Sequence, residues 1–414
     1  MNPVMPIMVN FVPLMKDKNS NIAIVLAFAL LPLSGFATDV YIPSLPAMAG
    51  ALHVSSVDVQ LTLSLFLISY GASQLFVGSF LDAFGRYRAS LVSLLIFAAA
   101  CIIIATTKNI YLIYLMRVIH GFTVGTIIVA KRAYFVDLFT GDKLKHYLSL
   151  FSIIWSAGPI VAPFIGGYLQ NAFGWQSSFY FLGGFALVMV VLEYFFSGET
   201  LVKPTAFQIR NILNIYKKMI STATFTLGIV MLGLSYGMVM VYNMTGPFII
   251  EHHLNLSPVT AGYSSLILGF AWMTGGFIGK ATINRPFYKR LVVNIGIQAL
   301  FVIAMIISLR FVSNLYSLIF FAFVIHVSTG FTFNNYFTFC LARFPQNAGI
   351  AGGLTGGLAY VIISFLSYGV VSAIPAKDEA NLSYSYLVCV ILSIIVMFTI
   401  YRFKTQEKQQ AVPA

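Results

Sequence analysis

The chain has 414 residues, of which 59% are hydrophobic and only 9% are charged, with a formal net charge of +12 at pH 7. A soluble domain has about 25% charged residues, so this composition excludes a soluble fold and indicates a chain that lipid solvates. Because the apolar runs are continuous and do not alternate with polar residues, an outer-membrane β-barrel is excluded as well, and the expected fold class is an all-α membrane protein.

Twelve predicted transmembrane helices follow one another along the chain, each with about the 20 apolar residues that a bilayer core requires. In chain order they cover residues 20–45, 58–80, 89–107, 110–131, 147–170, 176–196, 221–251, 258–281, 291–311, 315–339, 349–374 and 383–402. A polar, basic segment separates the first six helices from the last six. We therefore predict two pseudo-symmetric six-helix bundles at 20–196 and 221–402, a cytoplasmic linker at 197–220, and cytoplasmic tails at 1–19 and 403–414.

The basic residues lie mainly on one side of these helices. If the N-terminus is cytoplasmic, 20 of the 24 Lys and Arg side chains fall on the inner side, and the exceptions are Lys108, Arg117, Arg310 and Lys377. The positive-inside rule then predicts a multi-pass protein of the cytoplasmic (inner) membrane with both termini in the cytoplasm. Since the positive charge is scattered over short loops, nucleic acid is not an expected partner.

Four ionisable side chains stand out within the predicted hydrocarbon depth, namely Asp39, Arg117, His120 and His326. Such residues normally face a bundle interior or a wet cavity. At 1.5 Å per residue, Asp39 lies roughly 27 Å from the inner end of its helix and Arg117 about 10 Å from the outer end of its own, so their depths match. Burial favours the protonated form of a carboxyl group and a nearby guanidinium opposes it, so a movable Asp39–Arg117 pair would make proton binding depend on conformation. The alternative is that Asp39 pairs structurally where prolines break the helix.

The two embedded histidines are candidates for proton relay or substrate binding. His120 follows Arg117 by three residues and therefore lies on the same helical face. An imidazole changes its charge near neutral pH after modest shifts. For His120, and for the isolated His326 in the tenth predicted helix, a neutral, hydrogen-bonded structural histidine is the alternative.

The loop after the second predicted helix has the composition of a latch between cytoplasmic helix ends. Gly78 and Gly85 permit a close helix approach and a tight turn. Asp82 would accept hydrogen bonds from the N-terminal amides of a neighbouring helix, while Arg86 and Arg88 would face the inner headgroups. An ordinary charged turn is the alternative.

Small residues and helix breakers recur in the fifth predicted helix, at Gly158, Pro159, Ala162, Pro163, Gly166 and Gly167. Glycine-rich stretches in the eighth and eleventh predicted helices repeat the pattern in the second half. Small residues allow close packing of membrane helices, and prolines bend them. The pattern indicates two bundles that rock against each other around a central site, with plain tight packing as the alternative for any single glycine.

The order and spacing of these motifs resemble the major facilitator superfamily, and specifically the Bcr/CflA branch of twelve-helix drug:proton antiporters. Residues 38–46 are similar to that branch's first-helix signature, 78–88 to the superfamily's loop motif, and 157–167 to the antiporter motif of the fifth helix. The resemblance covers nearly the whole chain. Among the departures, His120 stands where a glutamine is usual and Ala162 where a glycine is usual.

The resemblance implies a central cavity lined by the first, fourth, seventh and tenth helices. Aromatic faces with a few amides suit amphiphilic organic molecules, although most Phe and Tyr side chains of such a chain are expected to face lipid. The implied substrate-binding residues are Tyr41, Tyr236, Tyr242, Asn243, His326, Phe331, Asn334, Asn335 and Tyr336.

The implied function is a proton-coupled exporter, an antiporter of small amphiphilic organic molecules such as drugs that works by alternating access. We expect a monomer in the lipid bilayer that needs no cofactor and no metal ion, with the proton gradient as its energy source. The alternatives within transport are a dedicated metabolite or siderophore exporter and a proton-coupled importer. A membrane-embedded enzyme would need a catalytic cluster, for which His252 and His253 beside Glu251 are the only sign.

Overall fold

A computed structural model describes residues 20–201 and 209–410. Within these residues, twelve helices are long and apolar enough to cross a membrane, which confirms the predicted fold class. We number them in chain order as helix 1 Asn21–Leu52, helix 2 Ser56–Phe84, helix 3 Arg86–Thr106, helix 4 Ile110–Leu138, helix 5 Gly141–Phe173, helix 6 Gln176–Phe196, helix 7 Ala223–His253, helix 8 Pro258–Ala281, helix 9 Phe287–Ser308, helix 10 Leu315–Arg343, helix 11 Gly349–Ala373 and helix 12 Glu379–Phe403.

The observed helices extend beyond several of the predicted ends. Helix 1 reaches Leu52, helix 5 begins at Gly141, and the helical backbone that includes helix 12 continues to Gln410. Hydropathy marks the part of a helix that lipid solvates, whereas backbone hydrogen bonds continue through polar turns on either side. Most of the predicted C-terminal tail is therefore helical, while the predicted tail at 1–19 lies outside the described residues.

Helix 1 is broken twice. Its α-helical segments are Ser20–Leu30, Leu33–Asp39 and Leu45–Leu52, with a 3-10 turn at Ile42–Ser44 before the last segment. Prolines lie at both breaks, and a proline has no N–H with which to continue the ladder of helical hydrogen bonds. Asp39 is therefore the last residue of a helical segment, at a point where the backbone turns.

The loops after the even-numbered helices lie on one side of the protein together with the linker. We call this side the linker face and the opposite side the far face. The described part of the linker contains a short helix, Ile209–Ile220, in which the Tyr216 hydroxyl donates a hydrogen bond to the Leu75 carbonyl of helix 2 at 2.7 Å. The linker is thereby attached to the first bundle on the linker face.

Close backbone contacts join the two bundles. A side chain at Gly71 of helix 2 would lie 2.6 Å from the Gly357 carbonyl of helix 11, and one at Gly167 of helix 5 would lie 2.7 Å from the Pro258 carbonyl of helix 8. In the linker half of helix 5, none of the described side chains from 141 to 157 is buried. The close approaches between helices 5 and 8 thus lie in the far half of the membrane, and the bundles close there. Helices 2 and 11 also approach each other in the linker half, where a side chain at Gly353 would lie 3.3 Å from the Gln74 carbonyl.

Candidate functional site

Asp39 connects the two bundles at the second break of helix 1. Only 1% of its surface is exposed. Its Oδ1 accepts a hydrogen bond from Nδ2 of Asn243, on helix 7, at 3.2 Å. Its Oδ2 has no hydrogen-bond partner among the described residues. The carboxyl group therefore combines a contact across the bundle interface with an oxygen that is free to bind a proton or another donor.

Arg117 of helix 4 is fully buried in the first bundle. Its Nε donates to the Thr62 carbonyl of helix 2 at 3.3 Å, and its Nη1 donates to the Ala37 carbonyl of helix 1 at 2.9 Å. The guanidinium carbon lies 4.6 Å from the ring centre of Tyr41 and 4.5 Å from that of Phe66. A planar guanidinium can donate in its plane while it stacks on aromatic faces, and here it ties three helices together.

The predicted ion pair between Asp39 and Arg117 is not formed in this conformation. None of the ion pairs found among the described residues joins the two side chains. Nη2 of Arg117, like Oδ2 of Asp39, has no hydrogen-bond partner there. Each group keeps a free polar atom, and the exchange of partners between conformations stays a prediction.

His120 extends the Arg117 cluster towards helix 3. Its Nδ1 lies 3.4 Å from Arg117 Nη1, and its Nε2 lies 3.4 Å from Sγ of Cys101. Because a guanidinium only donates, Nδ1 is the acceptor side of the first contact, and Nε2 faces the Cys101 sulfur. The imidazole also packs on the Phe97 ring, with 4.4 Å between the ring centres. These contacts place it inside the first bundle, between helices 3 and 4.

An aromatic cluster lies where the two bundles meet, and we define it as Tyr70, Tyr236, Trp272, Phe333 and Tyr360. The rings of Tyr70 on helix 2 and Tyr360 on helix 11 are 4.9 Å apart and nearly perpendicular. Tyr236 on helix 7 is 5.8 Å from both Trp272 on helix 8 and Phe333 on helix 10. All but Tyr70 are half-buried, and the Trp272 indole N–H has no partner among the described residues. Both bundles thus contribute rings to one surface.

Three of the predicted substrate-binding residues lie in the interior of the second bundle instead, namely Tyr242, His326 and Tyr336. His326 Nε2 is 3.3 Å from the Tyr386 hydroxyl of helix 12, and its ring is 5.6 Å from that of Tyr242. The Tyr336 hydroxyl donates to Sδ of Met397 at 3.5 Å. Their helices were assigned from the sequence, but the face that each side chain occupies depends on how helices 7, 10 and 12 pack.

The remaining predicted residues divide between local and central positions. Asn334 and Asn335 donate to carbonyls of their own helix at 2.9 and 2.8 Å. Phe331 packs against glycines of helix 8. Tyr41 covers Arg117, and its hydroxyl is 3.0 Å from Thr62 Oγ1. Only Tyr236 joins the aromatic cluster, and only Asn243 reaches Asp39.

The loop after helix 2 forms a charged network, but with different partners from those predicted. Asp82 pairs with Arg86 at 2.8 Å, and Arg86 also pairs with Asp137 of helix 4. The N-terminal amides of Arg86 and Tyr87 donate to Glu199 at 3.1 Å. Glu199 from the linker therefore occupies the positive end of helix 3. Arg86, which was expected to face the headgroups, pairs with the carboxylates of Asp82 and Asp137 instead. That Asp82 accepts hydrogen bonds from the amides of a neighbouring helix stays a prediction.

The two glycines of that loop differ in backbone conformation and in surroundings. Arg88 of the same loop is half-buried. Gly85 has a φ of +94°, which favours glycine because it has no Cβ. A side chain at Gly78 would meet nothing within 4 Å. The predicted close helix approach at Gly78 is thus absent from this described conformation.

Helix 5 packs backbone to backbone on two helices. A side chain at Gly158 would lie 2.7 Å from the Pro32 carbonyl of helix 1, and one at Gly166 would overlap the Val40 carbonyl. A side chain at Gly262 of helix 8 would lie 2.8 Å from the carbonyl of Pro163. Of the other motif residues, Ala162 is fully buried, and Pro159 lies inside the helix. Small residues are what such close approaches require.

Several central residues were not anticipated from the sequence. Gln60 of helix 2 donates to the Met244 carbonyl of helix 7 at 2.7 Å, and Tyr70, Trp272 and Tyr360 supply three of the five clustered rings. A buried amide in an apolar helix is costly and was a usable signal for Gln60. The aromatic residues carry no such signal, since aromatic side chains are common in lipid-facing positions. No group of three or more His, Cys, Asp or Glu within the described residues is placed to hold a metal ion.

Comparison with known proteins gives consistent matches across both bundles. The model of the Major Facilitator Superfamily matches residues 27–368. The chain is 28% identical to the MFS-type transporter YdgK of Bacillus subtilis, over 80% of this chain and 83% of that protein. It is 24% identical to the bicyclomycin resistance protein homolog of Haemophilus influenzae, over 93% and 97% of the two chains. It is also 24% identical to multidrug resistance protein D of Escherichia coli, over 96% and 99%.

Proposed function

This chain belongs to the Major Facilitator Superfamily, and from that premise we propose that it exports small amphiphilic organic molecules, drugs among them, in exchange for protons. The protein is a multi-pass membrane transporter with twelve apolar helices. The names of two relatives, a bicyclomycin resistance protein homolog and multidrug resistance protein D, support export of drugs.

The distribution of basic residues supports placing the linker face in the cytoplasm. Lys and Arg side chains are concentrated in the loops and helix ends of that face. With this orientation, the described conformation is closed towards the outside, since the bundles meet in the far half. Substrate would then reach the central aromatic cluster from the cytoplasm.

The observation that carries the proposal is the buried carboxyl group of Asp39 at the contact between the bundles. An ionisable group at this depth is costly and is normally retained for transport. Asp39 has Asn243 of the other bundle as its partner and keeps one oxygen free. Protonation at this position changes a contact that exists only while the far face is closed, and that is the coupling an antiporter requires.

The aromatic cluster supports the substrate class. Its rings meet in edge-to-face and tilted arrangements and come from helices 2, 7, 8, 10 and 11. Aromatic faces bind apolar and planar groups by burial and stacking, and a free indole N–H adds one oriented donor. Because both bundles contribute rings, the positions of these rings relative to one another change when the bundles rock.

Asp39→Asn tests the proton site. Substrates are first identified by an export and resistance screen over drugs and dyes in an efflux-deficient host. Substrate-induced proton release is then measured on purified protein across a pH range. We expect wild-type protein to release protons and Asp39→Asn to release none, because an amide cannot ionise.

Asp142→Asn is the matched control, since Asp142 is exposed and its ion-pair partner among the described residues is Lys145 on its own helix. It should release protons as wild type does. Unchanged release from Asp39→Asn would contradict the assignment of Asp39.

A further inference from the structure

We propose that Asn243 is a positioning residue for proton release: when the far face closes, helix 7 brings its amide to Asp39, and this hydrogen bond favours the carboxylate over the acid. The inference rests on the proposed function, because it takes Asp39 as the proton site. The step is simple in chemical terms. The O–H bond of the Asp39 acid breaks, its proton passes to water on the linker side, and the remaining carboxylate accepts the Nδ2–H of Asn243.

The geometry of the contact supports this role. Asn243 and Asp39 lie on helices of different bundles, and the donor–acceptor distance is 3.2 Å. Both side chains are buried, with 8% and 1% of their surfaces exposed. A hydrogen bond to an ionised group is roughly twice as strong as one between neutral groups. A buried donor that faces the carboxyl oxygen therefore stabilises the ionised form more than the acid.

Helix 7 is held by helix 2 at this position and has a proline just beyond it. The carbonyl of the next residue, Met244, accepts a hydrogen bond from Gln60 of helix 2 at 2.7 Å. Pro247 lies inside helix 7 and has no N–H to donate to the carbonyl of Asn243, four residues earlier. The helix can therefore bend next to Asn243 while helix 2 fixes the position of its neighbour. Separation of the bundles on the far side would withdraw both contacts together.

Among the described residues, no other group around Asp39 is found to donate a hydrogen bond to its carboxyl group. The charged group near it is Arg117 of helix 4, which belongs to the same bundle as Asp39 and stays with it when the bundles part. The titratable neighbours are the tyrosines Tyr41 of helix 1, Tyr236 of helix 7 and Tyr360 of helix 11. Helix 5 meets this part of helix 1 through glycine and proline. Asn243 is the amide donor that arrives with the second bundle.

The test measures the protonation of Asp39 directly in the full-length protein in lipid nanodiscs. Infrared difference spectra are recorded against pH, and the carboxylic-acid band that is lost in Asp39→Asn identifies the group. The midpoint of this band is compared between wild type, Asn243→Leu and Asn243→Ser. We expect the midpoint of Asn243→Leu to move to higher pH by about one unit, a tenfold change in proton affinity. Asn243→Ser, which retains a shorter donor, should move it less.

The matched control is Asn294→Leu. Asn294 donates to the Ser328 carbonyl and to Thr332 Oγ1 of helix 10, at 3.0 and 2.9 Å, and these contacts stay within one bundle. Its loss removes an interhelical amide without touching Asp39 and should leave the midpoint at the wild-type value. A merely structural role for Asn243 would lower the unfolding temperature without moving the midpoint.

A second readout uses spin-label distances across the far face. Lys108→Cys and Val312→Cys place labels on exposed loops of the two bundles, and the native cysteines are buried. Above the midpoint, we expect Asn243→Leu to lose at least half of the closed population, because its carboxylate is left unpaired there. Below the midpoint it should resemble wild type.

The outcomes separate the inference from the proposed function. If Asp39→Asn abolishes substrate-induced proton release but Asn243→Leu keeps both the wild-type midpoint and the closed population, the inference is overturned and the proton site stands. If Asp39→Asn retains proton release, both are overturned. If Asn243→Leu does not fold, Asn243→Ala, which also lacks the donor, decides in the same way.

Discussion

None of the ion pairs found among the described residues includes Arg117. Carbonyl oxygens and aromatic ring faces surround its guanidinium group instead. A guanidinium presents several donors in a rigid plane, so it can satisfy the Thr62 and Ala37 carbonyls while it lies between Tyr41 and Phe66. A lysine has a compact ammonium group that cannot reproduce this arrangement.

Arg117→Lys should therefore reduce both stability and transport. We expect the free energy of unfolding to fall by about 1.5–3 kcal/mol, the range for hydrogen bonds to a charged group, and drug export to fall at least tenfold. Thermal unfolding of purified protein and export from whole cells measure the two effects. Arg310→Lys, on an exposed turn after helix 9, is the control, and wild-type behaviour of Arg117→Lys in both assays would refute the account.

At the scale of the helices, the close packing of helix 5 against its neighbours depends on glycines, which have no side chain. It touches the broken helix 1 at Gly158 and Gly166 and approaches helix 8 at Gly167. In a membrane, close packing of backbones replaces the hydrophobic effect as a source of helix association. The irregular backbone of helix 1 is tolerated because it is covered by protein, as lipid-exposed breaks would leave polar groups unsatisfied.

Gly166→Val should disrupt the first bundle, because a Cβ at this position overlaps the Val40 carbonyl. Overpacking costs roughly 1–3 kcal/mol in ordinary cores, and rigid backbone on both sides leaves little room for relaxation. We expect a lower yield of monodisperse protein in size-exclusion chromatography and a lower unfolding temperature. Gly184→Val in helix 6, where a side chain meets nothing within 4 Å, should match wild type, and equal behaviour of the two variants would contradict this packing.

At the scale of the whole molecule, the aromatic cluster is assembled from both bundles. Trp272 belongs to the second bundle and packs on Tyr236 and Phe333, while Tyr360 joins them to Tyr70 of the first bundle. Such a site changes shape when the bundles move, so substrate affinity differs between conformations. A difference of this kind is what allows a ligand to shift a conformational equilibrium.

Trp272→Ala should weaken binding of aromatic drugs about tenfold, since it removes both a stacking face and an indole donor. Trp272→Phe should retain part of the affinity. Fluorescence anisotropy of a dye found in the export screen measures binding to purified protein. Phe365→Ala removes an exposed ring of helix 11 and should leave the affinity unchanged; if it weakens binding as much as Trp272→Ala, the cluster is not the binding surface.

The predictions that succeeded concern single segments, and those that failed concern side-chain direction. Twelve helices were readable because a bilayer requires apolar runs of a definite length. The loop charges were recognised, but their partners were not, since Glu199 lies far from Arg86 in sequence. His326 and Tyr336 lie inside the second bundle, a placement that the sequence could not supply because helix rotation is set by packing against neighbours. Their assignment to substrate binding stays a prediction.

The sequence by itself determined that this protein crosses a membrane twelve times, because hydropathy and length are properties of each segment alone. It also made Asp39 and Arg117 conspicuous as embedded charges, since charged residues are scarce among their apolar neighbours. Only the tertiary structure decided that Asp39 meets Asn243 and that Arg117 is held by carbonyls and rings. These contacts join residues up to 204 positions apart, and they depend on how two bundles pack, which no local pattern encodes.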